Sequence, residues 1–218
     1  DLDGTLTDSK DGVLECVRYA IETLGRALPD DGDLLKFIRP PLQESFREYC
    51  GFSREESQRA LRLFQERYVS EGQFKNRPAP GIAEMMGRLK ERAYVLALAS
   101  SKAESQCVPI CRRFGFAPYL TVIAGSSGSR DQSKEEVIRE AMGRLGLADP
   151  ARALMGGDRR DDVEGARACG MDCVGVEFFG YAPPGELEEA GAVSVVRTVA
   201  ELEAFILRHG AAQAFAGT

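Results

Sequence analysis

From about residue 82 onward the chain alternates short apolar runs with stretches of helical periodicity. "YVLALAS", "YLTVIAG", "RALMGGD", "DCVGVE" and "AVSVV" are each separated by a segment that repeats apolar residues every three to four positions. Near-continuous apolar runs of this length describe strands buried on both faces, and interleaved helices are what cover those faces. The order predicts an α/β doubly wound parallel sheet of the Rossmann-like kind. It leaves little room for a sandwich, a bundle or a barrel open to solvent.

The first third reads differently. In "KDGVLECVRYAIETLGRAL", Val13, Leu14, Val17, Ala20, Ile21 and Leu24 fall on one helical face. After the break at Pro40 and Pro41, "PLQESFREYC" places Leu42, Phe46 and Tyr49 together. "SREESQRALRLFQERYVSEG" opens on a Ser53–Glu56 capping box and predicts a long helix. No strand signal appears between about 10 and 75, and "NRPAPG" (76–81) reads as a linker. The expected organisation is an α/β core from 1–9 and 79–218, with an all-helical insert at 10–78.

Composition narrows the function classes. Lys and Arg total 28 against 34 Asp and Glu, a net charge of −6, and no basic stripe offers a surface for a nucleic-acid backbone. The longest apolar run, "VLALA", is far too short to span a bilayer, and no basic segment leads into an apolar core as in a secretory signal. A cytoplasmic protein acting on a small molecule is the expectation, with neither nucleic acid nor membrane as partner. The six cysteines include two C-x3-C pairs, Cys107/Cys111 and Cys169/Cys173. With His209 the one histidine, they are expected to be reduced, partly buried hydrophobes rather than a zinc site. His209 itself is expected at the surface.

Ligands of open α/β sheets bind beyond the carboxyl ends of the strands, so the polar residues ending each run are the candidates. These are Ser100, Ser101 and Lys102 after "YVLALA", Asp158 to Asp162 after "RALMGG", and Asp1 and Asp3 in the opening "DLDGTLTDS". Lys134 opens the helix after the Gly/Ser loop "SSGSRDQS". Clustered carboxylates repel one another unless a cation neutralises them, and hard oxygen donors suit Mg²⁺. A Mg²⁺ beside a lysine and a hydroxyl makes a phosphate site, and a carboxylate next to the phosphorus is a nucleophile. Ser100 can also be read as the N-cap of the next helix, which does not exclude contact with phosphate, and Asp161 as a helix-start acid.

"DLDGTLTDS", "ASSK", a Lys before a helix and "GDRRDD" together resemble the four motifs of the haloacid dehalogenase superfamily. More narrowly they resemble its phosphoglycolate-phosphatase-like hydrolases with a helical cap inserted after the first motif. The resemblance covers nearly the whole chain. It implies a Mg²⁺-dependent phosphomonoester hydrolase for a small phosphorylated metabolite, with a cap that closes over the core and gates turnover. By position it makes Asp1 the nucleophile, Asp3 the general acid and base, Ser100 the phosphoryl-binding hydroxyl and Lys134 the cation. It assigns Mg²⁺ to Asp1, Asp158 and the main-chain carbonyl of Asp3, with Asp162 holding a water of the metal. On the substrate side stand Thr5, Ser101, the runner-up to Ser100 for the phosphoryl hydroxyl, and Arg39 in "FIRPPLQESF", where many relatives carry Gly; an arginine there suits a second anionic group and, equally, a solvated surface.

The resemblance also implies an apolar strand before Asp1, and such a segment is expected to precede this sequence in the intact chain. Phosphoglycolate, a 5′-nucleotide and pyrophosphate are all compatible substrates. A phosphomutase of the β-phosphoglucomutase type shares the same motifs, and a silent binding protein with the same fold is the reading from another class. Dehalogenase and phosphonatase are disfavoured by the acid at position 3.

Overall fold

The computed structural model describes residues 1–38, 42–127 and 132–216, with side chains through 210. The chain divides into two compact units, one formed by Asp1–Thr7 with Pro78–Thr218 and the other by Asp8–Arg77. The crossings are the two-residue strands β1 (Thr7–Asp8) and β2 (Arg77–Pro78), paired with each other.

The helical unit runs through α1 (Lys10–Thr23), α2 (Asp31–Leu35), α3 (Leu42–Cys50) and α4 (Arg54–Ser70). Helix α1 stops five residues short of the periodicity that predicts it to 28. Gly25, at φ +67°, takes the left-handed conformation that ends a helix cheaply only when no Cβ is present. The capping box of α4 forms as its sequence predicts, with Glu56 N donating to Ser53 Oγ and Ser53 N to the Glu56 carboxylate. Val17, Ala20 and Ile21 of α1 pack against Phe37, Phe46, Ala60 and Phe64 in one buried cluster. Phe37 meets Phe46 edge-on, with centroids 5.2 Å apart, an arrangement that suits the quadrupoles of both rings.

The α/β unit continues with α5 (Ile82–Glu91), β3 (Leu96–Ala103), α6 (Glu104–Arg113), β4 (Leu120–Ser126), α7 (Lys134–Leu145), β5 (Leu154–Gly157), α8 (Arg160–Ala168), β6 (Asp172–Val176), α9 (Glu186–Ala190), β7 (Ser194–Val196) and α10 (Val199–Ala216). Strands β3 and β4 pair in parallel, as do β5 with β6 and β6 with β7. Adjacent residues of one strand enter opposite cores. Leu98 and Val174 join Ile82, Leu89 and Phe116 on one face, while Ala99 and Cys173 join Val137, Ile138 and Val163 on the other. A strand has two faces, and helices on both sides make both apolar. Leu2, fully buried, joins the first of these clusters, and the Asp1 nitrogen donates to the Gly156 carbonyl at 2.9 Å. The opening "DLD" therefore runs alongside β5.

Two expectations change. The strand of "YVLALAS" does not stop at Ser100 but continues to Ala103, and α6 begins at Glu104. Ser100 is thus the buried end of a strand run rather than a helix cap. His209 is not a free surface side chain: its ring stacks on Phe205 and its Nε2 lies 2.9 Å from the Asp172 carboxylate. All six cysteines are free and five of them are buried, and burial pushes the Cys107 and Cys173 thiols up to about 12. They act as small hydrophobes. No helix among the described residues is long and apolar enough to cross a membrane.

Leu98, 1% exposed against Val95 at 64% on the same approach to the sheet, sets a test of this core. Leu98→Ala is expected to cost about 2–5 kcal/mol, against about 0.5 kcal/mol or less for Val95→Ala. Both are read from the urea midpoint at unchanged slope.

Candidate active site

The loop that carries the first two acids is wound around one carbonyl. Leu2 O accepts from the amides of Leu6 and Thr7, each at 2.9 Å, and Gly4 N donates to Thr7 O at 2.7 Å. Closing so tight a loop requires a positive φ, and Gly4 supplies +85°. A side chain there is also excluded by space: a Cβ on Gly4 would lie 2.0–2.5 Å from the Asp158 carboxylate. Gly157 gives way likewise to Asp162, whose carboxyl carbon would sit 2.3 Å from a Cβ. At each glycine a carboxylate comes so close to the backbone that it takes the space of a side chain.

Asp158 follows β5 and Asp162 sits in the first turn of α8, so a strand end and a helix start bring them together. One carboxylate oxygen from each of Asp1, Asp158 and Asp162 lies within 4.8 Å of the others. Lys134, the first residue of α7 behind a Ser133–Glu136 capping box, enters the same space. Its Nζ is 2.7 Å from Asp1 Oδ1 and 2.5 Å from Asp162 Oδ1, with the three side chains 4%, 9% and 3% exposed. The stem of Lys134 passes Gly165 of α8, where a Cβ would come within 3.1 Å of Lys134 Cβ and Cγ. The second oxygen of Asp162 accepts from Arg159 N at 3.1 Å, so both of its oxygens are held by protein donors.

Three carboxylates against one ammonium leave an excess of two negative charges in a buried place. The protonation preferences register it. Burial, and then the charge of Asp162, push the Asp158 carboxyl up to about 7. For Asp162 burial is again the largest influence and pushes the same way, but the Lys134 ammonium, the nearby Asp1 nitrogen and the hydrogen bonds from Lys134 and Arg159 N together hold the carboxyl below its ordinary value. A divalent cation fits this set: the donors are all hard oxygens, and two positive charges match the excess. Nothing softer is offered, since among the described residues the cluster contains neither His nor Cys.

The remaining residues singled out in the sequence separate. Thr5 is buried and donates to Asp158 Oδ1 at 3.4 Å, which turns its hydroxyl to a carboxylate. Ser100 is 2% exposed and Ser101 is exposed. The Asp3 carboxylate stands apart from the cluster, with Oδ2 2.9 Å from Lys102 Nζ. Arg39 lies outside the described residues. Lys102 stood among the strand-end candidates but was given no role by the resemblance, because "ASSK" drew attention to its hydroxyls and gave no sign of which way the lysine turns.

A family model described as haloacid dehalogenase-like hydrolase matches residues 1–176. The chain is 38% identical over 189 residues to a 5′-nucleotidase of Pseudomonas aeruginosa, covering 86% of this chain and 84% of that protein. It is 38% identical over 184 residues to the tyrosine-protein kinase PtkA of Mycobacterium tuberculosis, covering 83% of this chain but spanning only 61% of the relative's length. Among solved structures, a predicted phosphatase from Clostridium acetobutylicum superposes with a TM-score of 0.83 at 36% identity, over 95% of this chain and 96% of that one.

Lys134→Met leaves Asp1 and Asp162 buried without their shared cation. Removing one partner of a buried ion pair costs about 3–5 kcal/mol, and this loss is expected in chemical denaturation at neutral pH. Lys134→Arg, which keeps the charge, is expected to lose less.

Proposed function

Because this chain belongs to the haloacid dehalogenase-like hydrolases and is a phosphatase of that family, we propose that it hydrolyses the phosphomonoester of a small metabolite through a phosphorylated Asp1. The observation that carries this reading is the buried Asp1 carboxylate, held by Lys134 inside a cluster whose charge excess matches a divalent cation.

In the first step an Asp1 carboxylate oxygen attacks phosphorus, and the bond from phosphorus to the substrate oxygen breaks. Asp3, in its acid form, gives its proton to that departing oxygen, and the alcohol leaves. In the second step a water attacks the phosphorus of the acyl phosphate while Asp3, now a carboxylate, takes a proton from it. The bond from phosphorus to Asp1 breaks, inorganic phosphate departs and the Asp1 carboxylate is restored. Such acid/base help is worth about 10²–10⁴ in rate. Lys134 places positive charge on the attacking carboxylate and the transferring group, and the Ser100 hydroxyl donates to a phosphoryl oxygen. A bound Mg²⁺, held by Asp1, Asp158 and the Asp3 carbonyl with Asp162 just outside, would neutralise phosphoryl charge as a Lewis acid.

The division of labour between Asp158 and Asp162 follows from their partners. Both Asp162 oxygens already receive protein donors, whereas Asp158 receives the weaker, neutral Thr5 hydroxyl at 3.4 Å. Asp158 is therefore the better placed to give an oxygen to a cation. Among substrates, the nucleotidase relative directs attention first to 5′-nucleotides, with phosphoglycolate and pyrophosphate beside them. The kinase-named relative supports one second reading, transfer to an acceptor hydroxyl in place of water.

Phosphate release from a panel of 5′-nucleotides, phosphoglycolate, sugar phosphates and pyrophosphate, with Mg²⁺ and with EDTA, tests the proposal. Release is expected with Mg²⁺ alone and is expected to fall by at least roughly 10³-fold in Asp1→Asn, with circular dichroism unchanged. Appreciable turnover by that variant would sink the nucleophile assignment. Product appearing on an added alcohol or tyrosine peptide, instead of as free phosphate, would favour transfer. A second expected outcome is a rise in thermal midpoint on adding Mg²⁺, lost in Asp158→Asn.

A further inference from the structure

Strand β3 pairs in register with β4 from Ala97–Val122 to Ser100–Gly125, and pairing resumes only at Ala103 with Ser126. Ser101 and Lys102 are thus extra residues on one strand, a bulge at the carboxyl end of the sheet. Bulges bend a strand and re-aim the side chains they carry. This one is held at several points. Lys102 N donates to Ser100 Oγ at 3.4 Å, and the Lys102 carbonyl accepts from Cys107 Sγ at 3.5 Å. Opposite it stands Gly125, where a Cβ would lie 2.6 Å from the Lys102 carbonyl and 2.5 Å from Glu104 N. The Gly125 amide donates to Glu104 Oε2 at 3.4 Å, and Arg144 fixes the same carboxylate at 2.8 Å. The bulge is pressed down on a position that admits no side chain.

The outcome is a lysine that does not behave as a solvated one. The Lys102 side chain is 10% exposed and its Nζ sits 2.9 Å from Asp3 Oδ2, whose own side chain is 31% exposed. Asp3 is more accessible than the carboxylates of Asp1 and Asp162. A side chain that must meet a leaving oxygen in one step and a water in the next gains from being held in one rotamer, since small misplacements cost large factors in rate.

We propose that Lys102 is a positioning residue for Asp3: the β3 bulge delivers its ammonium to Asp3 Oδ2 and so holds the carboxylate in one rotamer. Its effect is greatest in the second step, in which water attacks the phosphorus of phosphorylated Asp1, the proton of that water passes to Asp3, and the Asp1–phosphorus bond breaks. The inference rests on the acid/base reading of Asp3.

p-Nitrophenyl phosphate separates the steps, because its phenolate departs with little help from an acid. Stopped-flow release of p-nitrophenol from the full chain with Mg²⁺ is expected to show, for Lys102→Met, a burst of about one equivalent. A steady rate roughly 10-fold or more below wild type should follow, with KM falling in step and kcat/KM changed by less than about threefold, since the slowed step comes after the burst. Lys102→Arg is expected to recover part of the rate, and Lys102→Met with Asp3→Asn to be no slower than Asp3→Asn alone, since one residue acts through the other. Thermal scans check folding, and Lys102→Gln carries the test if the Met variant is unstable. A wild-type phosphoenzyme lifetime in Lys102→Met, a change confined to KM, or fully additive losses in the double variant would each overturn the proposal. If Asp3→Asn itself turned over normally, the acid/base reading would fall first. If Asp3→Asn is slow and Lys102→Met is not, the positioning role alone fails.

Discussion

The Lys134 ammonium, bridging Asp1 and Asp162 with almost no solvent reaching the three side chains, is the contact around which the rest of the α/β unit is arranged. Burying charged groups is expensive, and the expense is recovered only when each charge has close, well-directed partners. Meeting that condition requires the opening loop, the start of α7 and the start of α8 to converge within a few ångströms. The capping box at Ser133 fixes where α7 begins, and so where Lys134 emerges. The glycines at 4, 157 and 165 remove the atoms that would keep these pieces apart. Even so, one ammonium does not balance three carboxylates, and the raised Asp158 is the residue of that imbalance. A buried set of hard oxygens left unsatisfied by its own side chains in this manner fits a divalent cation.

The sheet explains why the convergence occurs at this end. Both of its faces are covered, so polar groups can leave the core only at strand ends. Asp158 follows the last residue of β5, and Ser100 and Lys102 lie at the end of β3. The core and the chemistry therefore do not compete: apolar side chains alternate along each strand, and the reactive ones begin where the alternation stops. The helical unit has its own core of aromatic rings, which needs nothing from the sheet to be buried.

Much of this was legible in the residues. Periodicity separated a helical stretch from an alternating one, and runs such as "DCVGVE" and "AVSVV" became β6 and β7 because period and flanking glycines leave a short apolar run few other options. The acids and Lys134 could be picked out because ionisable groups at strand ends and helix starts rarely serve packing. Where the reading missed, the cause was non-local. Helix α1 ends early at a glycine whose helix-ending conformation is not implied by the apolar pattern around it. His209 finds Asp172, 37 residues away in sequence. That β3 runs on past Ser100 to Ala103 depends on Gly125 in another strand.

The sequence by itself determined the alternation that makes parallel strands, the helical insert, and the supply of carboxylates, hydroxyls and lysines at strand ends and helix starts, since these follow from side-chain chemistry and local period. Only the tertiary structure decided which charges face which. Lys134 and Lys102 are equivalent as letters, yet one is locked between Asp1 and Asp162 and the other is turned by a bulge onto Asp3. Coulomb energy depends on distance and on burial, and both are properties of the assembled chain.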